Sequence, residues 1–369
     1  MPAGFTPPPG PARPGAEAER SQGSQLGAFG RAVIVPALVA TVVGLAFVVV
    51  FLDAFHHPTP HHLPVAVVGD AQQAGQVRSA LDKAAAGQFE VRAYADQGAA
   101  RTAVLHRDVY AAYVPGRPPR LVSAGANSQG VTQTLTQAFT PIAQQSGGQL
   151  QMQDVRPLAP GDTRGLGIFY GAFGVVLGGF IFGLLSYQAA PKLALRWRLL
   201  SIVLFAAASG MLAGLAADVI YHAIPAGWWK VSGLVALLAL SIGATAALAL
   251  RVLGSAATFV LSVGLITLGN ATSTGNLPAE YLPPWMQPLS AILPPGVAVR
   301  ALRGATYFAD DGVGRALWVL GLWAVVPLLL IALVDAIGRR RDAHGRHEPG
   351  ETGDDRPAPA LVAGRAETA

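Results

Sequence analysis

Cysteine is absent from the 369 residues, and charged side chains are scarce, at 13% of the chain. The lack of cysteine excludes disulfide bonds, thiolate zinc sites and cysteine nucleophiles, so any exported part must fold by packing alone. The charged fraction is about half of the roughly 25% that soluble domains carry. Apolar residues make up 52% of the chain, and the mean hydropathy is +0.42. This composition is typical of a membrane protein, with the lipid bilayer as its first expected partner.

Lysine is scarce as well. Lys83, Lys192 and Lys230 are the three lysines, and the remaining basic residues are arginines, with a net charge of +5. We attribute this balance to a general bias toward Arg, Ala, Gly and Pro. The arginines are scattered or lie beside apolar runs rather than on one amphipathic face, so no nucleic-acid partner is predicted.

Long uncharged segments predict the membrane-spanning helices. A helix rises about 1.5 Å per residue and needs roughly 20 residues to cross a bilayer. Six segments meet this length, one before and five after a polar insertion. The sequence therefore predicts a polytopic α-helical membrane protein with six spans, at residues 32–52, 165–190, 199–222, 231–250, 252–273 and 316–334, the last lying between Arg315 and Asp335.

Basic residues near the span ends predict the orientation. Under the positive-inside rule, the side that carries the arginine and lysine clusters faces the cytoplasm. This places both termini in the cytoplasm of a plasma-membrane protein. Residues 1–31 and 338–369 are predicted to be disordered cytoplasmic tails because they lack an apolar period. The clusters are Arg31, then Lys192, Arg196 and Arg198, then Arg251, and finally Arg339, Arg340 and Arg341.

The first apolar run could instead be a cleaved signal peptide. Its core of about 21 residues is longer than the 7–15 of a signal peptide, and "FLDAFHHP" contains no convincing cleavage site. We therefore expect an uncleaved anchor at residues 32–52.

Residues 53–164 alternate between short strand and helix patterns. This alternation predicts an extracytoplasmic α/β domain on a membrane stalk, with a mostly parallel sheet. Asp96 is expected to cap one helix, and Pro141 is expected to disturb another. The stretch "VVGDAQQAG" lacks the Gly-x-Gly-x-x-Gly spacing, and Asp70 puts a carboxylate where a phosphate would lie. Neither a nucleotide nor another cofactor is predicted.

Four histidines follow the first span: His56, His57, His61 and His62. Imidazole is a good ligand for Zn, Cu or Ni. The intervening prolines separate the two pairs, however, and no acidic partner stands nearby in the sequence. We interpret the stretch as a solvated linker, with a metal site as the alternative.

Glycines recur at four-residue spacing in the second span. In lipid, such small residues let helix backbones approach closely, which favours helix packing over a moving gate. The residues concerned are Gly167, Gly171, Gly174, Gly178, Gly179 and Gly183.

The segment 276–315 is rich in proline, with six prolines between residues 277 and 296. Proline blocks regular helix, so we expect a re-entrant or capping structure at the outer mouth, with an ordinary extracellular loop as the alternative. Ionisable and polar groups near this mouth are candidates for an outer gate or pathway. They are Asp218, Asn270, Trp285, Arg300 and Arg303. For the charged groups, interfacial or solvated positions are the alternative.

The layout resembles that of the type-2 ABC exporter membrane subunits, and most closely the YhgE/Pip-like branch. The residues that carry the resemblance are "PLAPGDTRGLGIFYGAFGVVLGGF" and "LPPWMQPLSAILPPGVAVRALRG". The resemblance implies an exporter-like permease subunit that moves a hydrophobic or cell-envelope compound. It also implies a homodimer and a separate ATPase subunit.

The chain departs from that family in one respect. The cytoplasmic coupling helix that contacts an ATPase is represented only by "PKLALRWR", and the chain has no phosphate-binding loop of its own. No paired acids, Ser-His-Asp set or metal ligands occur within a span, so no catalytic residue and no enzyme activity are predicted. The alternative function is a membrane-anchored scaffold or receptor whose extracytoplasmic domain binds a partner.

Overall fold

The structure, a computed structural model, describes residues 30–191 and 193–345. The predicted tails at 1–31 and 338–369 therefore lie largely outside the described residues. In the second of them, helix continues to Gly345. The described part of the chain is mostly helical and contains one small sheet.

The described residues form eleven α-helices and five strands. Their helices are α1 (Val35–Phe55), α2 (Ala71–Ala84), α3 (Gln97–Leu105), α4 (Gln129–Gln145), α5 (Gly167–Ala189), α6 (Leu195–Gly214), α7 (Trp228–Leu253), α8 (Ala256–Leu261), α9 (Gln287–Ile292), α10 (Pro294–Tyr307) and α11 (Val313–Gly345). The strands are β1 (Leu63–Val68), β2 (Phe89–Tyr94), β3 (Ala111–Val114), β4 (Arg120–Ser123) and β5 (Gln151–Asp154). Helix α6 continues as a π-helical stretch, Leu215–Ile220, and α8 continues as another, Ser262–Gly269.

Five helices in the described ranges are long and apolar enough to cross a membrane, which indicates a multi-pass membrane protein. The predicted span at 252–273 differs from the others. Helix α7 runs on to Leu253, and the backbone then breaks at Gly254, whose φ is +57°. The apolar helix that follows covers only Ala256–Gly269. At about 1.5 Å per residue it is roughly 21 Å long, shorter than the hydrocarbon thickness of about 30 Å. The five long spans are Ala32–Phe55, Gly167–Ala189, Leu195–Ile220, Trp228–Leu253 and Val313–Ile337.

Helix α7 is the centre of the bundle. It packs against α5, α6, α10 and α11, and 61% of its most apolar 18-residue stretch is buried. Most of its residues are apolar, as expected for a helix that packs against several others. Helix α1 is the opposite case. Within the described part of the chain, 0% of its most apolar 18-residue stretch is buried, and the helix packs mainly on Ser262–Gly269. The outer surface of α1 is therefore left for lipid or for another helix.

An ion pair ties two helices at the end of the bundle that the sequence assigns to the cytoplasm. Arg251 on α7 donates to Asp335 Oδ1 on α11, with Nη2 at 2.9 Å. At the same end Arg198 is 5% exposed and donates from Nη2 to the carbonyl oxygen of Ala190 at 2.8 Å. That hydrogen bond closes the turn between α5 and α6.

The five strands form a single sheet in the order β2-β1-β3-β4-β5. Three of the four pairings are parallel, whereas β3 and β4 are antiparallel because a short turn connects them. Helices α2 and α4 cover one face of the sheet, and α3 covers the other. The sheet is thus mostly parallel, as expected, and its central strands are apolar because they are buried on both faces.

Two aspartates cap helices in this domain. Asp96 accepts a hydrogen bond from Ala99 N at 2.9 Å, which confirms the predicted cap. Asp70 is the carboxylate that argued against phosphate binding in the sequence. It accepts a hydrogen bond from Gln73 N at 2.7 Å and so caps the start of α2. Helix α4 continues through Pro141, where the sequence predicted a disturbance.

The proline-rich segment 276–315, called the outer segment below, packs against both faces of the sheet domain. Leu277 and Tyr281 join the core beneath α2 and α4, while Phe308 enters the core beneath α3. Ser128 Oγ, at the start of α4, donates to the carbonyl oxygen of Asn276 at 2.7 Å. The α/β domain is therefore held against the helical bundle through this segment and is not carried by a stalk alone.

The outer segment also contacts the end of α1. Leu282 and Met286 pack against Ala54, and Trp285 Nε1 donates to Asp53 Oδ2 at 3.2 Å. Its prolines fit this role, because they interrupt helix and let the chain follow the surfaces of three different elements.

Candidate ligand site between the α/β domain and the helical bundle

A small cavity of about 90 Å³ lies between the α/β domain and the outer segment. Its wall combines residues from the connection between α3 and β3 with Thr274 and residues from the outer segment. Four arginines contribute to it, and we call it the arginine pocket. Its ionisable lining consists of Arg107, Tyr110, Glu280, Arg300, Arg303 and Arg315.

The two residues from the α/β domain are placed by the end of helix α3. Arg107 adopts a positive φ of 64°, which stops the helix, and Asp108 N then bonds back to Ala103 O at 2.9 Å. Tyr110 N bonds to Pro64 O at 2.9 Å. Helix α3 thus ends tightly just before β3, and this ending places the side chains of Arg107 and Tyr110 in the pocket wall beside the outer segment.

Arg303 is the most deeply buried of the four arginines, at 5% exposure. It donates from Nη1 to Thr274 O at 3.0 Å and from Nη2 to Gly275 O at 2.7 Å. Within residues 30–191 and 193–345, no carboxylate lies within ion-pair distance of it. Burial lowers the pKa of Arg303 to about 10, since desolvation disfavours the charged form.

Arg107 and Arg300 share one carboxylate. Asp311 Oδ2 lies 3.0 Å from Arg107 Nη1 and 3.2 Å from Arg300 Nη2. The first contact is an ion pair without hydrogen-bond alignment, so Arg107 Nη1 has no hydrogen-bond partner among the described residues. The Arg107 guanidinium also lies over the Phe308 ring, 5.1 Å from its centroid. Burial lowers the pKa of Arg107.

The acidic group of the pocket is held by a tyrosine. Tyr110 Oη donates to Glu280 Oε2 at 2.8 Å, and burial raises the pKa of Tyr110. The phenol therefore stays a donor, and the carboxylate stays the acceptor. The four arginines with Glu280 and Asp311 carry a formal charge of +2 in a partly enclosed space. Such a site attracts anions.

A second cavity, of about 250 Å³, lies at the ends of α1 and α5, beside the stretch that follows α8. Four aromatic side chains line it, so we call it the aromatic cavity. Asn270 also lines it and is 2% exposed. Its Nδ2 donates to Ile266 O at 2.8 Å, whereas its Oδ1 has no partner in the part of the chain that the structure describes. Thr274 belongs to the walls of both cavities. The aromatic residues are Phe51, Phe55, Phe169 and Tyr170.

The structure places the five predicted gate residues in different surroundings. Arg300 and Arg303 line the arginine pocket, and Asn270 lines the aromatic cavity. Asp218 lies in the π-helical stretch that continues α6, and its Oδ1 accepts from the amide of residue 227 at 3.3 Å. Trp285 stands at the end of α1, 54% exposed. A pathway role stays a prediction for all five.

Two of the four histidines in the linker have a ring nitrogen near a backbone carbonyl oxygen. His56 Nδ1 is 2.6 Å from the carbonyl oxygen one helical turn earlier, and His61 Nδ1 is 3.2 Å from Glu280 O. His62 N bonds to the carbonyl oxygen of residue 87 at 3.0 Å, and the rings of His56 and His57 are 6.5 Å apart. Among the described residues, no group of three or more His, Asp or Glu side chains is placed to hold a metal ion.

The six glycines of α5 have three kinds of surroundings. A Cβ at Gly179 would lie 2.7 Å from Ile242 Cγ2, and one at Gly183 would lie 2.6 Å from Ala246 Cβ, so both residues closely approach α7. Gly167 lies beside Asp162 at the start of the helix. The remaining three have no described neighbour closer than 3.9 Å to such a Cβ: Gly171, Gly174 and Gly178.

Four of the ionisable pocket residues were not predicted from the sequence: Arg107, Tyr110, Glu280 and Arg315. Glu280 is 170 positions from Tyr110, so no local spacing links them. Arg315 served only as a boundary of the last predicted span. The cluster of arginines in "AVRALRGATYFADDGVGR" was the one local signal that pointed to this place.

No protein-family model, curated protein or solved structure matches the chain. The class of protein is therefore defined by the fold: a multi-pass helical membrane protein with a small α/β domain inserted after its first long apolar helix.

Proposed function

We propose that the chain is an exporter-like permease subunit of the plasma membrane, which moves a hydrophobic or cell-envelope compound. The observation that supports it best is the arginine pocket, because its wall belongs partly to the α/β domain and partly to the outer segment of the bundle. A ligand at such a junction contacts both bodies, and its binding can bias their relative position. A ligand bound between the α/β domain and the outer segment could therefore act on a gate formed by these two parts.

The proposed topology has six crossings, with Ala256–Gly269 in a short fifth one, the α/β domain outside and both termini in the cytoplasm. The basic residues at the span ends support this orientation. Because the natural chain has no cysteine, single-cysteine variants report one position each. In intact cells, a membrane-impermeant maleimide should label Arg101→Cys, whereas Arg196→Cys should react only after permeabilisation. Labelling of both or neither in intact cells would exclude the topology.

The exporter function also includes a separate ATPase subunit and a homodimer as proposed partners. The exposed apolar surface of α1 is compatible with a second copy. The test is to purify the full chain in lipid nanodiscs from its native membrane and to identify co-purifying proteins by mass spectrometry. The complex is then reconstituted in vesicles, and ATP-dependent transfer of a fluorescent single-chain amphiphile between leaflets is measured. An ATPase that co-purifies and drives transfer is expected; if neither an ATPase nor nucleotide-dependent transfer is found, the exporter form is excluded.

A membrane-anchored receptor is the second candidate. The observation that favours it is the short connection between α5 and α6. Only "PKLALRWR", which is part of this connection and the first turn of α6, is available there for contact with an ATPase. A receptor would keep ligand binding at the arginine pocket without any ATP-dependent transfer. The two functions are thus distinguished by the same vesicle experiment.

A further inference from the structure

The arginine pocket has more positive charge than its own acids balance. Burying a charged group is costly unless it is paired. Arg303 has two backbone carbonyls for partners, and Arg107 shares Asp311 with Arg300. The guanidinium nitrogen Nη1 of Arg107 has no hydrogen-bond partner among the described residues. An anion in the pocket would complete this arrangement.

The size of the pocket limits what enters it. Sites for whole small molecules usually measure about 300–1,000 Å³, whereas this one is about 90 Å³. It therefore accommodates one charged group rather than a whole lipid or drug. Arginine forks match the geometry of phosphate oxygens and bind them in pairs.

The aromatic cavity supplies the complementary surface. It is larger, about 250 Å³, and its wall is mainly apolar. It lies at the ends of α1 and α5, where a chain from the bilayer can reach it, and Thr274 connects its wall to that of the arginine pocket. The unpartnered Oδ1 of Asn270 would accept a hydrogen bond from a ligand hydroxyl.

We infer that the two cavities together bind one anionic amphiphile, with a phosphate-type head group in the arginine pocket and its apolar chain in the aromatic cavity. The claim that this amphiphile is the transported compound rests on the proposed exporter function. The claim that the chain binds the amphiphile does not depend on that function. The same head-group chemistry could come from free phosphate, which the test distinguishes.

The experiment is equilibrium dialysis of the full chain in phosphatidylcholine nanodiscs. One arm uses radiolabelled dodecyl phosphate and the other radiolabelled inorganic phosphate, and uptake by empty nanodiscs is subtracted from both. We expect saturable binding of one dodecyl phosphate per chain and much weaker binding of inorganic phosphate. Chain burial accounts for the difference, at roughly fourfold in affinity per buried CH₂ group.

Two variants with matched controls locate the site. Arg300→Ala should weaken dodecyl phosphate binding roughly 10- to 100-fold, since it removes a charge-assisted hydrogen bond. Arg300 is largely exposed, so the fold should tolerate the change. Arg101→Ala, at an exposed position on α3, should leave binding unchanged. Phe51→Ala should weaken dodecyl phosphate but not inorganic phosphate, whereas Leu45→Ala on the lipid side of α1 should affect neither.

Three results would overturn the inference. They are no saturable binding of dodecyl phosphate, equal binding of dodecyl phosphate and inorganic phosphate, and an Arg300→Ala variant that binds dodecyl phosphate as well as the wild type. Equal binding of the two compounds would make the site one for a free anion. If binding fails while ATP-dependent transfer persists, the inference is excluded and the exporter function stands. If binding holds while transfer is absent, the exporter function is excluded and the amphiphile site stands.

Discussion

The close approach of α5 to α7 predicts opposite effects for two identical substitutions. Gly183 and Gly174 both lie on α5, and Gly→Ala adds one methyl group in each case. At Gly183 the new Cβ would lie 2.6 Å from Ala246 Cβ and 3.8 Å from Ala246 Cα. At Gly174 no described atom lies within 4 Å of it. The pair therefore separates the effect of helix contact from the effect of the residue type.

The magnitude follows from the geometry. Carbon atoms pack at about 3.5–4.0 Å, so the contact at Gly183 is short by roughly 1 Å. Ala246 is 0% exposed and has no rotamer to change, so the helix backbones must separate. Such overpacking costs about 1–3 kcal/mol. The gain in helix propensity on replacing glycine, about 1 kcal/mol, is common to both variants and cancels in their comparison.

The assay is thermal unfolding of the purified full chain in one detergent, followed by tryptophan fluorescence. At roughly 2–4 °C per kcal/mol for a domain of this size, the apparent Tm of Gly183→Ala should lie about 2–12 °C below that of Gly174→Ala. Gly174→Ala itself should equal or slightly exceed the wild type. If Gly183→Ala were as stable as Gly174→Ala, α5 and α7 would not be in contact at this glycine, and the described bundle packing would be incorrect.

Three further perturbations test contacts at the arginine pocket and at the start of α5. Tyr110→Phe removes a hydrogen bond to the Glu280 carboxylate and should lower the unfolding free energy by about 1.5–3 kcal/mol, whereas Tyr221→Phe, at a 69% exposed residue, should change it little in the same thermal assay. Burial raises the pKa of Tyr110, whereas a tyrosine in the unfolded chain ionises near pH 10, so stability should fall as the pH rises above about 10. While the protein is folded, the tyrosinate absorbance of the wild type and of Tyr110→Phe should coincide. Asp162 accepts from Leu166 N at 3.0 Å and from Gly167 N, the first amide of α5, at 2.7 Å. Asp162→Ala should therefore cost about 0.5–2 kcal/mol, and Asp162→Asn less; equal losses would refute a capping role.

The membrane class of the chain was predictable because it depends on local composition. A run of about 20 apolar residues must form helix in lipid, whatever surrounds it, since every backbone group needs an internal partner. The same holds for the strand and helix alternation of the α/β domain and for the cap at Asp96. Hydropathy alone did not detect the break at Gly254, because a helix break within apolar sequence leaves the mean hydropathy unchanged.

The arginine pocket was predictable only in part. Arg300 and Arg303 stood out as charges beside a membrane segment, but their neighbours Arg107 and Tyr110 come from a distant loop. The sequence also did not reveal that the outer segment holds the α/β domain. That arrangement depends on Phe308 and other apolar residues that look like ordinary loop or interface residues in isolation.

By itself the sequence determined which segments form the long apolar helices and which form the small sheet, because hydrophobic length and alternation act within a few turns of chain. Only the tertiary structure decided that residues more than 150 positions apart meet in two adjoining cavities. The physical reason is that a binding site needs charges and apolar surface converging from several elements, and that convergence is set by packing between elements and not by any local pattern.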